Sequence, residues 1–183
     1  MTQAQTWVRR LKESDPSVCT EVFDAMYGPM LRYATWITQD QEAAYDILQE
    51  VFFKLWQGRQ RLNADLPLKA LLFKMTRNRA LNHQRKKQHQ QTRLSAMQEI
   101  VPDQEPPPDN SLEAKMLGTR IHQWIGELPP RQREAFQLSR YEGLSHQEIA
   151  QVMDLTSRTV SNHIMLALVY LRKRLHALES NLT

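Results

Sequence analysis

Residues 143–164 read GLSHQEIAQVMDLTSRTVSNHI, and their spacing decides the architecture of the C-terminal part of the chain. Gly143 suits the end of a preceding helix. Ser145, with Glu148 three residues on, forms a capping box that starts a new one. Ile149, Ala150 and Met153 supply the inward face of that short helix. Asp154-Leu155-Thr156 then makes a turn, and Thr156 is a good N-cap for a second helix, expected to bury Val160, Ile164, Leu168 and Leu171. Small Ala150 lets this second helix cross closely, while Leu155 fills the angle between the two. Two helices joined in this way are a helix-turn-helix, whose second helix enters the DNA major groove.

The leading turns of that second helix present Ser157, Arg158, Ser161 and Asn162 to bases or phosphates. Its far end carries Arg172, Lys173 and Arg174, which also suit the negative pole of the helix. A helical hairpin without a DNA role is the bland alternative. The coincidence of capping box, turn, small residue and polar leading face argues against it. Upstream, Leu112, Met116, Leu117, Ile121, Trp124, Ile125 and Leu128 mark one amphipathic helix, stopped at Pro129-Pro130. A further helix carries Ala135, Phe136 and Leu138.

Between Asp65 and Glu99 no residue is acidic. Gln84 to Gln98 is rich in Gln, Lys, Arg and His. Pro102, Pro106, Pro107 and Pro108 follow among acidic residues and cannot sustain a helix. This segment reads as a semi-rigid spacer. The expected organisation is therefore all-α: a helical domain at 1–90, a Pro-rich linker at 91–110 and a second small helical domain at 111–183.

The N-terminal domain opens with Trp7, Val8 and Leu11, then Val22, Phe23, Met26, Met30 and Leu31, with Gly28-Pro29 reading as a turn signal between them. Asp40 is an N-cap with Glu42 in the first turn. Behind it the doublets Ala43/Ala44, Ile47/Leu48, Val51/Phe52 and Leu55/Trp56 make a wide buried face. Opposite lie Asp46, Gln49, Glu50 and Phe53, at spacings that share one strip. Carboxylates flanking a Phe there suggest a protein-binding surface. The alternative is a solvated face, with Glu50 paired to Lys54 and Phe53 covered by another helix. Gln57 to Pro67 reads as a loop. The next helix is expected to bury Leu68, Leu71, Leu72 and Met75 and to present Lys74, Arg77, Asn78 and Arg85. A basic helix with interleaved Asn is a nucleic-acid candidate, since Arg grips phosphate or guanine and Asn reads base edges. Few aromatics accompany it, so it offers no clear stacking platform.

The net charge of +4 is modest, but its concentration in one block points to a polyanion partner. A single cysteine, Cys19, excludes an internal disulfide and a thiolate metal cluster. No apolar run approaches membrane-spanning length, so a cytoplasmic protein without membrane insertion is expected. No clustered carboxylates, His-Cys set or phosphate-cradling Gly loop supports an enzyme. No catalytic residue, metal ligand or cofactor is expected.

These residues resemble the sigma-70 family of RNA polymerase sigma factors, specifically its extracytoplasmic-function group. Tyr45 to Trp56 is similar to the family's region 2.2. Leu71-Leu72-Phe73 through Arg77-Asn78-Arg79-Ala80, with Arg85-Lys86, is similar to regions 2.3 and 2.4. Leu128-Pro129-Pro130-Arg131-Gln132-Arg133-Glu134-Ala135-Phe136, Gly143-Leu144-Ser145 and Glu148-Ile149-Ala150 resemble region 4. The resemblance implies that Asp46, Gln49, Glu50 and Phe53 clamp the largest subunit of bacterial core RNA polymerase. It implies that Lys74, Arg77, Asn78, Arg85 and Lys86 contact the −10 element of promoter DNA, with an extruded base received near Asn63. Ser157, Arg158, Ser161 and Asn162 would read the −35 element, and an anti-sigma factor is an expected partner. A free-standing helix-turn-helix regulator with a helical sensing or dimerisation domain is the alternative. It leaves the carboxylate–aromatic strip and the basic helix unexplained.

Overall fold

The computed structural model describes residues 3–92 and 112–180, and every regular element among them is helical. The Pro-rich segment around Pro102–Asp109 lies outside the described residues. The chain divides into two compact units, 1–102 and 103–183. Among the described residues, no helix is long and apolar enough to cross a membrane.

The first unit contains α1 (Gln3–Lys12), α2 (Pro16–Thr38), α3 (Gln41–Gly58) and α4 (Leu68–Thr92). Asp15 caps α2 by accepting from the Ser17 amide at 2.9 Å, and Pro16 occupies the first turn, where no amide is needed. Arg10 of α1 ties this corner by donating to Asp15 and Glu21, each at 2.8 Å. At the other end Gln39 takes the left-handed conformation (φ 57°), turning the chain so that Asp40 caps α3 by accepting from the Ala43 amide at 3.1 Å.

The core of this unit joins Val8 and Leu11 of α1 with Val22, Met26, Met30 and Ala34 of α2, Leu48 and Val51 of α3, and Leu72 and Phe73 of α4, all buried. The Ala43-to-Trp56 doublets face inward as expected, with Phe52 and Trp56 half-buried at the rim. Gly28-Pro29, by contrast, is not a turn: α2 runs unbroken through Pro29. Proline there removes one amide from the ladder, and the carbonyl four residues back belongs to Ala25, which is exposed and open to water. Burial of Met26 and Met30 on either side holds the helix together. The expected loop is also shorter than 57–67. Helix α3 continues to Gly58, and a 3-10 turn spans Arg59–Arg61. Arg59 fastens that turn by lying over the Trp56 ring at 4.0 Å and donating to Ser14 Oγ at 3.1 Å.

The second unit contains α5 (Leu112–Gly126), α6 (Pro130–Arg140), α7 (His146–Met153) and α8 (Ser157–Ser180). Ile125, Leu128, Phe136 and Ala167 form a buried cluster, with Ile121, Tyr170 and Leu171 packed against it. The Glu127 carboxylate accepts from the Tyr170 hydroxyl and the Arg174 guanidinium, binding the end of α5 to α8. Gly143 has φ +62°, in the left-handed region that favours glycine, and Leu144 donates back to the Leu138 carbonyl at 3.0 Å. One expected core position fails: Leu168 is exposed and Ala167 is fully buried in its place. The inward stripe of α8 therefore steps 160, 164, 167, 171, and an alanine fits where α6 lies close.

Candidate protein- and nucleic-acid-binding surfaces

The helix-turn-helix is built from short-range bonds. Ser145 Oγ accepts from the Glu148 amide at 3.3 Å, and the Glu148 carboxylate accepts from the Ser145 amide at 2.8 Å, so both halves of the capping box are formed. Asp154 turns the chain in the left-handed conformation (φ 54°), and Leu155 donates to the Ala150 carbonyl at 2.9 Å. Thr156 Oγ1 then caps α8 by accepting from the Thr159 amide at 3.1 Å. Ala150, Val152, Met153 and Val160 are buried between the helices. Ser157, Arg158, Ser161 and Asn162 are all exposed on the first turns of α8, where the positive end of the helix also favours phosphate. Further along the same face Met165, Leu166 and Val169 are exposed as well.

On α3, Asp46, Gln49, Glu50 and Phe53 all face solvent, and Phe53 keeps 60% of its surface exposed. The solvated-face alternative is half present. Glu50 does pair with Lys54 at 3.1 Å, and with Arg79 of α4 at the same distance. Lys54 and then Arg79 hold the Glu50 carboxyl below the usual carboxylate range. Phe53, however, stays mostly exposed among the described residues. An apolar cleft of about 230 Å³ between α2 and α3 is lined by Cys19, Phe23, Phe52, Leu55 and Trp56. Burial pushes the Cys19 thiol up.

Helix α4 differs most from expectation. Its buried residues are Leu68, Ala70, Leu72, Phe73, Thr76 and Ala80; Leu68 and Leu72 were expected there, Leu71 and Met75 are displaced. Phe73 packs against Tyr33 of α2 with ring centroids 5.4 Å apart. Thr76 enters the core because its hydroxyl donates to the Leu72 carbonyl at 2.9 Å. The rotation turns Leu71 outward and leaves Met75 half-buried. Asn78 and Arg85, both exposed, and Lys74, half-buried, follow along one side of α4 at helical spacing. Arg77, half-buried, and Lys86, exposed, fall on its two flanks. In the loop before α4, Asn63 is exposed, and its side-chain oxygen accepts from the Asp65 amide at 2.9 Å. That bond is an Asx turn, a structural task for Asn63. Lys87 reaches back from α4 to Asp40 at 3.5 Å.

Residues 22–90 match the family model described as Sigma-70 region 2, and residues 119–171 match that described as Sigma-70, region 4. The chain belongs to the sigma-70 family. An extracytoplasmic-function (ECF) RNA polymerase sigma factor of Mycobacterium tuberculosis, SigL, is 25% identical over 166 residues, covering 90% of this chain and 93% of its own. The RNA polymerase sigma-H factor of Pseudomonas aeruginosa is 26% identical over 185 residues, covering 96% and 95%. The fold is shared with the sigma factor RpoE of Bartonella quintana, solved in complex with the anti-sigma factor NepR. That match has a TM-score of 0.66 and 20% identity, covering 86% of this chain and 96% of that one. The protein is thus an RNA polymerase sigma factor of the ECF group, which binds core polymerase and directs promoter recognition. The free-standing regulator is set aside. In this sigma factor, sequence reasoning missed Arg79, whose link to Glu50 crosses between helices, and the outward turn of Leu71, which leaves Met75 half-buried.

Proposed function

We propose that the two units divide the work of initiation. The first unit holds core polymerase through Asp46, Gln49, Glu50 and Phe53 on α3. It meets the −10 element through Lys74, Arg77, Asn78, Arg85 and Lys86 of α4, with Asn63 shaping the adjoining loop. The second unit meets the −35 element through Ser157, Arg158, Ser161 and Asn162. The protein acts without catalysis of its own, in the cytoplasm, as a recruiting subunit. The observation that carries this reading is the uncovered Phe53 among carboxylates, on the helix face opposite a fully packed stripe. An exposed Phe in that setting fits a partner's surface better than water.

An anti-sigma factor belongs to the same proposal. It is supported by the likeness to RpoE, which was solved with one, and by the exposed Met165, Leu166 and Val169 on α8. Titration of labelled protein with bacterial core polymerase tests the core-binding strip. Glu50→Lys is expected to abolish submicromolar binding because it reverses a charge flanked by Lys54 and Arg79. Normal affinity in that variant would remove Glu50 from the interface.

A further inference from the structure

Glu50 stands between two cations that the fold holds very differently. Its Oε1 meets Lys54 Nζ and its Oε2 meets Arg79 Nε, each at 3.1 Å. Lys54 lies one turn along the same helix with its side chain 50% exposed. A pair of that kind is solvated and loose, and exchanges readily for another cation. Arg79 comes from α4, and its side chain is only 17% exposed. It stands next to Ala80 and one turn after Thr76, both fully buried, and its Nη1 donates to the Met75 carbonyl at 3.4 Å. Its Nε is shut off from solvent and donates no hydrogen bond among the described residues, so the Glu50 carboxylate serves as its counter-charge. Taking that carboxylate away would leave a largely buried guanidinium uncompensated, a far greater loss than that of a surface pair. A partner that binds Glu50 therefore does not take both oxygens. It can win Oε1 from Lys54 with little loss, whereas Oε2 stays with Arg79.

We infer that Arg79 is a positioning residue for core binding: it holds Glu50 Oε2 and so presents Oε1, which Lys54 occupies until a cation of core polymerase replaces it. This deepens the core-binding reading of the α3 strip and rests on it. The two cations beside Glu50 thus act in opposite directions, one fixing the carboxylate and the other competing for it. An ion pair that served only the fold would show no such opposition.

The test is titration of the full chain, labelled at its N-terminus, with bacterial core polymerase, beside a thermal melt of each variant. Arg79→Met removes the charge at similar length and should weaken core binding about fivefold, by releasing Glu50 to Lys54 and solvent. Arg79→Lys keeps the charge and should bind within about twofold of wild type. Lys54→Ala should tighten binding about twofold, because the competitor is gone. In a Glu50→Gln background Arg79→Met should weaken binding no further, since Arg79 acts on core only through Glu50. Lys87→Ala is the control: it breaks another ion pair from α4 to α3, Lys87 with Asp40 at 3.5 Å, and should leave core affinity unchanged. Arg79→Gln repeats the test if Arg79→Met lowers the Tm. An equal loss in Lys87→Ala would make the effect one of helix docking and overturn the inference. So would an Arg79→Met loss that persists in full beside Glu50→Gln, or binding that Lys54→Ala weakens or leaves unchanged. Unchanged affinity in Glu50→Gln alone would remove Glu50 from the interface, and the positioning role would fall with it. If Glu50→Gln weakens binding and Arg79→Met does not, only the positioning role is lost.

Discussion

Replacing Phe53 by Ala should weaken core polymerase binding by more than an order of magnitude and leave the free protein as stable as before. A Phe side chain buries roughly 200 Å² when fully covered. Phe53 is 60% exposed in the free chain, so a partner can remove about 120 Å² from water, worth about 3 kcal/mol at about 25 cal/mol per Å². Alanine retains part of that contact, and docking an aromatic ring costs side-chain freedom, which leaves about 2 kcal/mol, or roughly thirtyfold in affinity. The free protein should barely notice, because most of the ring touches only solvent. The assay is anisotropy of N-terminally labelled protein titrated with core polymerase, beside a thermal melt of the same variant. Affinity within twofold of wild type would refute the argument. So would an affinity loss accompanied by a lowered Tm, since it would make Phe53 a part of the fold.

Further outcomes follow from the same geometry. Asp40→Ala should destabilise the chain by about 1 kcal/mol through loss of the α3 cap, measured by chemical denaturation. The Ala43 amide, with help from Lys87, holds the Asp40 carboxyl below its ordinary value. Its contribution is therefore complete above the unfolded aspartate pKa of about 4 and is lost as the pH falls through the lower folded value. Asp40→Asn, which keeps a capping oxygen, should flatten that acid-side decline; an unchanged pH profile would exclude Asp40 as its source. Arg158→Ala should reorder preferences among −35 variants, whereas Lys86→Ala should weaken all DNA alike and lower the salt slope by about one. An unchanged −35 ranking would misplace the reading face. Ala150→Leu should cost about 1–3 kcal/mol by overpacking the crossing of α7 and α8, and −35 binding should fall with it. A wild-type melt would show that the crossing has room to spare.

The features legible in the sequence are those whose partners lie within a turn or so of one another. The capping box of Ser145 and Glu148, the Thr156 cap, the Asp40 cap and the left-handed Gly143 each depend on three or four neighbouring residues. The doublet stripe of α3 was equally plain, because its apolar and polar residues alternate cleanly around the helix. That stripe put Asp46, Gln49, Glu50 and Phe53 on the opposite face but left open whether another helix covers Phe53; the structure leaves it 60% exposed.

Helix α4 was not legible in this way. Its first turns are apolar on several sides, with Leu68, Ala70, Leu71, Leu72, Phe73 and Met75 all competing for the core. Periodicity could not choose among them. Packing against α2 and α3 selected Phe73 and admitted Thr76, whose hydroxyl finds its acceptor within the helix, and so turned Leu71 to solvent. The same physics chose Ala167 over Leu168, kept α2 whole through Pro29, and set Arg79 beside Glu50. The sequence by itself determined where α3, α7 and α8 begin, and that a helix-turn-helix follows a basic helix, because those features are written in local hydrogen bonds and spacing. Only the tertiary structure decided which side of an ambiguous helix faces outward, because burial is settled by the volume and shape that distant helices leave to be filled.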